Sequence, residues 1–174
     1  MSRVVILSGE RGVGKTTVCR ETVALARGRG HACAGIVTLA RDGARDVCDV
    51  RSGERRRLTE GPDDGSVVVQ GRFRFNAETL TWGSAVLRRS VPCDLLVVDE
   101  IGPLEIERDG GWVVAFDVLR GGSFALAVAV VRPELVAQAQ RRLSRLTGRV
   151  LVTTRENRNR LPAVLMEMLR RQAA

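Results

Sequence analysis

Residues 9–16 read Gly9-Glu10-Arg11-Gly12-Val13-Gly14-Lys15-Thr16 and match the pattern G-x-x-x-x-G-K-[ST], the Walker A motif or P-loop. The lysine of this motif is the one lysine in 174 residues, against 27 arginines. An ammonium is a compact point charge that fits between β- and γ-phosphates, whereas a guanidinium is a wide planar fork. A lysine at this position alone therefore indicates a phosphate-binding role.

The flanking sequence supplies the context that a P-loop requires. Residues 3–8 form a short apolar run, which is typical of a strand buried on both faces of a parallel sheet. Residues 17–27 predict a helix that ends at the glycines after it, and its predicted buried face consists of Val18, Thr22 and Leu25. The sequence thus predicts strand, glycine loop and helix in succession.

A nucleoside triphosphate is the ligand that this arrangement predicts. Loop N–H groups and the positive end of the helix dipole converge on phosphate oxygens. We expect Lys15 to contact the β- and γ-phosphates, the Thr16 hydroxyl to ligate Mg²⁺, and Thr17 to reach the α-phosphate. The other residues of the predicted binding loop are Gly9, Glu10, Arg11, Gly12, Val13 and Gly14.

A second motif, of the Walker B kind, follows about eighty residues later. Residues 94–98 are mostly apolar and lead into Asp99 and Glu100. In P-loop enzymes the acid at this strand end holds the Mg²⁺ shell, commonly through water, which predicts that role for Asp99. Glu100 is then the predicted base that orients the attacking water. Because successive strand residues point opposite ways, the two acids can divide these tasks.

Residues 99–106, Asp-Glu-Ile-Gly-Pro-Leu-Glu-Ile, resemble the D-E-I-G-x-[ML]-E-[LI] signature of the THEP-type nucleoside-triphosphatase family. The P-loop, the segment 31–49 with Gly35-Ile36-Val37-Thr38 and Arg45, and residues 154–158 (Thr-Arg-Glu-Asn-Arg) also resemble that family, in the same order. The chain departs from it at Pro103, where the family often has Lys, and at Val47-Cys48, where it has Gly-Phe. Neither departure touches the predicted phosphate or magnesium residues.

This resemblance implies Mg²⁺-dependent hydrolysis of nucleoside triphosphates to diphosphates, with a loose preference for the base. It implies an α/β P-loop NTPase fold, a RecA-like, mainly parallel sheet with helices on both faces. It also singles out Asn157 and Arg158, after the last strand, as nucleotide contacts. Gly102 is a further candidate, since a residue without a side chain allows its N–H to approach the γ-phosphate.

The remaining sequence predicts one domain, residues 1–174. Strands are expected at 124–131 and 150–153, and helices at 76–89, 133–146 and from 161 onward. Residues 41–75 contain short candidate strands separated by turn residues, and predict an antiparallel hairpin insertion that extends the sheet. Trp82 and Trp112 are expected to be packing residues.

Composition limits the function classes. The net charge is +8, but the arginines are spread along the chain without a nucleic-acid reader motif, so nucleic-acid binding is disfavoured. No apolar run has transmembrane length and the chain enters its first strand at once, so no membrane association and a cytoplasmic location are expected. The four cysteines lack metal-site spacing, and free thiols are expected. The sequence does not define the oligomeric state, and a monomer is the default expectation.

Three questions stay open from sequence alone. A nucleotide or nucleoside kinase shares the P-loop, and the region 41–74 could supply its acceptor pocket. A nucleotide-dependent switch that binds RNA or a protein partner is a further alternative. Arg132 and Arg158 are both candidates for an arginine that acts on the transition state.

Overall fold

A computed structural model describes residues 4–41, 44–59, 67–70, 73–143 and 147–173. Within these ranges the strands are β1 (Val4–Ser8), β2 (Cys33–Arg41), β3 (Ala44–Asp49), β4 (Arg55–Arg57), β5 (Val67–Gln70), β6 (Phe73–Asn76), β7 (Cys93–Ile101), β8 (Phe124–Val131) and β9 (Thr147–Val152). The α-helices of the same ranges are α1 (Lys15–Gly28), α2 (Ala77–Arg89), α3 (Pro103–Glu107), α4 (Val114–Gly121), α5 (Val136–Leu143) and α6 (Leu161–Ala173).

Seven strands form the main sheet in the order β4-β3-β2-β7-β8-β1-β9. The five strands from β2 to β9 pair in parallel, and β8 separates the P-loop strand β1 from the acidic strand β7. Parallel pairing brings the carboxyl ends of these strands to one edge of the sheet, where ligands of open α/β sheets bind. The predicted mainly parallel α/β sheet is confirmed.

Both faces of the sheet are covered by helices. Val4 and Ile6 of β1 pack into the core under α2, α4 and α5, whereas Val5 and Leu7 pack into the core under α1 and α6. Alternate residues of one strand thus enter two different cores, which explains why its sequence is apolar throughout. In the described residues, no helix is both long and apolar enough to cross a membrane.

The antiparallel extension is confirmed for β3 and β4, which continue the sheet beyond β2. The prediction was wrong for the later strands, because β5 and β6 pair with each other in a separate two-stranded sheet. A bridge between Thr59 and Phe75 and the Asn76 N–H bond to the Leu58 carbonyl tie this small sheet to the extension. Turn residues 42–43 and 63–65 and Arg72 lie outside the described residues.

The helices are confirmed with local corrections. Asn76 caps α2, as predicted, and its side chain accepts the Thr79 N–H. Leu25 was expected in the core but is 42% exposed, because Val18, Cys19, Thr22, Val23 and Ala26 form the face of α1 that meets the sheet. The helix predicted at 133–146 starts with a 3₁₀ turn, Pro133–Leu135, before α5, and Leu146 lies outside the described residues. Both tryptophans are buried, as expected.

Candidate nucleotide-binding site

The P-loop connects the end of β1 to the start of α1. Gly9 has φ +137°, and a Cβ built there would lie 2.5 Å from the Thr153 carbonyl oxygen. The Thr153 N–H in turn donates to the Ser8 carbonyl at 2.7 Å, so the loop begins directly against the segment that follows β9. Only glycine suits this position, since any side chain would enter that backbone.

Lys15 lies inside the curve of this loop. Its ammonium donates to the carbonyl oxygens of Gly9 at 2.6 Å and Glu10 at 2.7 Å. Burial lowers the pKa of Lys15, while the negative charges of Asp99 and Glu100 act in the opposite direction. The cation is therefore held by the loop and faces the two acids predicted to work with it.

Asp99 is fully buried at the end of β7 and contacts the P-loop helix. Its Oδ2 accepts hydrogen bonds from the Thr16 hydroxyl at 2.8 Å and the Thr38 N–H at 3.1 Å. Burial, with a contribution from the charge of Glu100, raises the pKa of Asp99 to about 6. Its Oδ1 is buried and has no hydrogen-bond partner in the described part of the chain.

The Thr16 hydroxyl and the Asp99 carboxylate suit a magnesium ion as ligands. A hydroxyl and a carboxylate are hard oxygen ligands, and a bound cation would satisfy the unpartnered Asp99 oxygen. Across the described ranges no three His, Cys, Asp or Glu side chains form a metal-binding group. An ion held here would thus take further ligands from water and phosphate oxygens, which is the usual coordination of Mg²⁺.

Glu100 leaves regular strand geometry. Its φ is +66°, and the register between β7 and β8 shifts between Val98 and Ile101. Glu100 is therefore a left-handed residue outside the regular strand pattern, so the simple strand alternation that we expected for the two acids does not apply here. A left-handed non-glycine residue costs on the order of 1–3 kcal/mol and is typical of functional sites. The Glu100 side chain is 39% exposed, and its carboxylate forms an ion pair with Arg45 of β3.

In the loop after Glu100, the N–H of Gly102 has a partner within the protein. The Gly102 N–H donates to Glu105 Oε2 at 2.9 Å, closing the first turn of α3. The other carboxylate oxygen of Glu105 accepts the Trp112 N–H at 3.0 Å, and burial raises the pKa of this acid. The Gly102 N–H is thus engaged within the protein and does not support the predicted contact with a γ-phosphate.

The two residues singled out after β9 differ in their surroundings. Asn157 Oδ1 accepts the Thr154 N–H at 2.8 Å, and its Nδ2 donates to the Val152 carbonyl at 2.8 Å. This amide fixes its own loop, which does not support the contact with nucleotide that we expected. Arg158 lies across the P-loop, because a Cβ built on Gly14 would meet its Cδ at 3.1 Å.

An open cavity of about 1600 Å³ connects most of the predicted residues. The predicted residues that line it are Gly9, Arg11, Gly12, Gly14, Lys15, Thr16, Thr17, Asp99, Glu100, Gly102 and Arg132. Glu10, Val13, Asn157 and Arg158 do not line it. The sequence assigned no role to Thr38 or Arg45, although both lie in segments that carried the family resemblance.

At the carboxyl edge of the parallel sheet, a glycine loop with its lysine and threonine hydroxyl lies beside a buried aspartate at the end of a strand. This combination defines a P-loop nucleotide-binding protein. A family model described as NTPase matches residues 4–166. The chain belongs to this family, the THEP-type nucleoside-triphosphatases.

Individual proteins agree with this membership. A protein of Pyrobaculum islandicum named nucleoside-triphosphatase THEP1 is 39% identical over 106 residues, 58% of this chain and 59% of that protein. A second relative of the same name, from Pyrobaculum aerophilum, aligns over 58% of this chain and 58% of its own length. A relative of the same name from Methanosarcina barkeri is 29% identical and aligns over 95% of this chain and 97% of its own. The crystal structure of THEP1 from Aquifex aeolicus shares the fold, with a TM-score of 0.67 at 19% identity, covering 95% of this chain and 98% of that one.

Proposed function

We propose that this protein hydrolyses nucleoside 5′-triphosphates, ATP and GTP among them, to the diphosphate and phosphate in a Mg²⁺-dependent reaction. One observation carries the proposal: Lys15, Thr16, Asp99 and Glu100 line the same cavity, although the two pairs are separated by more than eighty residues of sequence. The shared name of the relatives, nucleoside-triphosphatase, supports the same reaction class.

Substrate binding is assigned to the P-loop. The N–H groups of residues 9–16 and the start of α1 would hold the phosphate oxygens. Lys15 would exchange its bonds to the Gly9 and Glu10 carbonyls for the β- and γ-phosphate oxygens. The ammonium already lies within the loop that would hold the phosphates, so it would be close to the charge that spreads over the γ-phosphoryl group.

Thr16 and Asp99 are the residues that would hold magnesium, the latter through water. A bound Mg²⁺ supplies charge neutralisation on the β- and γ-phosphate oxygens. The protein's own part is orientation: the Thr38 N–H and the strand end fix the Asp99 carboxylate, which in turn holds the Thr16 hydroxyl in place.

Glu100 is assigned to the attacking water. The water oxygen bonds to the γ-phosphorus while the bond from that phosphorus to the β–γ bridging oxygen breaks. The Glu100 carboxylate orients the water and accepts its proton, and the diphosphate leaves with the electron pair of the broken bond. Partial exposure of Glu100 at the cavity wall allows water to reach this carboxylate.

The variant Glu100→Gln tests this assignment. We expect it to bind ADP and a non-hydrolysable ATP analogue with wild-type affinity, because the P-loop is unchanged. Its turnover should fall roughly 10²-fold or more, the scale of positioned general-base catalysis. Glu107→Gln is the matched control, since Glu107 is an exposed acid of the adjacent helix α3. If affinity and turnover fell together in Glu100→Gln, Glu100 would be structural.

A second candidate is phosphoryl transfer to an acceptor other than water. The cavity exceeds the roughly 300–1,000 Å³ of a single small-molecule site and extends to Arg55, Arg57 and Phe75 on the far wall. A basic and aromatic wall suits a second nucleotide. Formation of ADP from ATP that rises on addition of nucleoside monophosphates, with phosphorylated acceptor as product, would favour this function over hydrolysis.

A further inference from the structure

We propose that Arg45 is the transition-state arginine of this site, bridging the Glu100 carboxylate and the γ-phosphoryl group. This inference rests on the proposed hydrolysis. The sequence offered Arg132 and Arg158 for the role, but in the described part of the chain neither forms an ion pair with Glu100. Arg45 does form one, through its Nη1 and Glu100 Oε2.

The position of the contact decides the assignment. In the proposed reaction, Glu100 orients a water that must lie against the γ-phosphorus. A guanidinium in contact with this carboxylate therefore lies close to the position of that water. The fork of an arginine carries five N–H donors, and its geometry allows it to bind a carboxylate and a phosphate oxygen together. Arg158, in contrast, lies over Gly14 at the start of α1, beside the P-loop.

The backbone of Arg45 is anchored on two sides. It pairs with Ala40 in the ladder between β2 and β3. Its N–H donates to the Thr59 hydroxyl at 2.8 Å, and its carbonyl accepts the N–H groups of Leu58 at 2.8 Å and Thr59 at 3.2 Å. A catalytic side chain on a fixed strand is placed more accurately than one on a loop.

Burial strengthens the electrostatic effect that the Arg45 charge has on a nearby anion. The Arg45 side chain is only 18% exposed, whereas that of Arg57, on the neighbouring strand, is 52% exposed and pairs with Asp46. A cation shielded from water acts more strongly on a developing negative charge than an exposed one. The antiparallel extension of the sheet thus acquires a function, since it delivers an arginine to the end of β7.

Arg45→Ala and Arg56→Ala form the test pair, because each removes one arginine of the antiparallel extension, and Arg56 is an exposed residue of β4 that pairs with Glu54 and does not line the cavity. We expect Arg45→Ala to lower kcat about 10²- to 10³-fold, near the lower end of the range for arginines supplied to phosphoryl transfer. Its affinity for ADP should stay within about threefold of wild type, which also shows that the variant is folded. The complex with Mg²⁺, ADP and aluminium fluoride, a mimic of the γ-phosphoryl transition state, should be lost. Arg56→Ala should keep both properties.

Two further variants separate contact with the phosphate from an indirect role. Arg45→Lys retains the charge without the fork and should restore only part of the turnover. In the Glu100→Gln background, where there is no carboxylate to position, Arg45→Ala should still weaken the aluminium fluoride complex at least tenfold. No weakening there would overturn the proposal and leave Arg45 as a positioning residue for Glu100. Failure of the wild-type protein to release phosphate would instead refute the proposed hydrolysis itself.

Discussion

Lys15 shows how a single residue connects composition to chemistry. The chain uses arginine as its cation everywhere else, and the structure gives a geometric reason for the exception. Two carbonyl oxygens of the loop lie 2.6 and 2.7 Å from the Lys15 ammonium, so the cation occupies the interior of a tight curve. A planar guanidinium cannot turn its donors into so small a space.

The variant Lys15→Arg tests this argument because it preserves the charge. We expect triphosphate affinity or turnover to fall by about 10²-fold or more, comparable to the loss of one preorganised donor to a developing anion. The matched control is Arg29→Lys, the reverse exchange at the exposed C-terminal end of α1, which should leave both unchanged. Phosphate release and nucleotide titration measure the two effects, and wild-type values in Lys15→Arg would refute a specific need for lysine.

Some contacts between site residues could be predicted from the sequence and others could not. Thr16 and Asp99 lie 83 positions apart, yet both could be predicted because each belongs to a recognised motif with a known relation to the other. Arg45 and Glu100 are 55 positions apart, and their contact depends on how β3 pairs beside β2. No local pattern in the sequence encodes that pairing, so the ion pair could be found only in three dimensions.

At the scale of elements, buried parallel strands and amphipathic helices were predictable because their patterns repeat over many residues. The pairing of short strands could not be predicted in this way. The sequence of β6 alternates as expected of a strand, but alternation does not identify the partner strand or sheet. Leu25 failed for a related reason, since a helical pattern shows an apolar stripe but not which edge of the stripe meets the sheet.

Gly35 tests the pairing of two elements, because β2 places Thr38 against Asp99. Its φ is +111°, and a Cβ there would lie well inside contact distance of the Val97 carbonyl oxygen of β7. We expect Gly35→Ala to lower the free energy of unfolding by about 3 kcal/mol or more, through strain and the displaced strand. Gly28→Ala, in open space at the end of α1, should change it by less than about 1 kcal/mol. Equal urea midpoints for the two variants would contradict this account of β2 and β7.

At the scale of the whole molecule, several arginines form ion pairs on separate elements of the fold. Pairs join Arg57 to Asp46, Arg89 to Asp49 and Arg142 to Asp109, on different elements of the fold. Glu167 pairs with two arginines of α6. These arginines are neutralised by acidic partners within the protein, so the net charge of +8 comes from the other basic residues. The expectation that nucleic-acid binding is disfavoured stays a prediction.

The molecule as a unit brings three distant segments together at one sheet edge, where we propose that they hydrolyse nucleoside triphosphates. The decisive experiment measures release of phosphate from ATP, GTP, CTP and UTP, with Mg²⁺ and without an added acceptor. We expect steady release from several of these nucleotides, lost when Mg²⁺ is chelated and strongly reduced in Glu100→Gln. Tight binding of the triphosphates without release of phosphate would contradict the proposed hydrolysis.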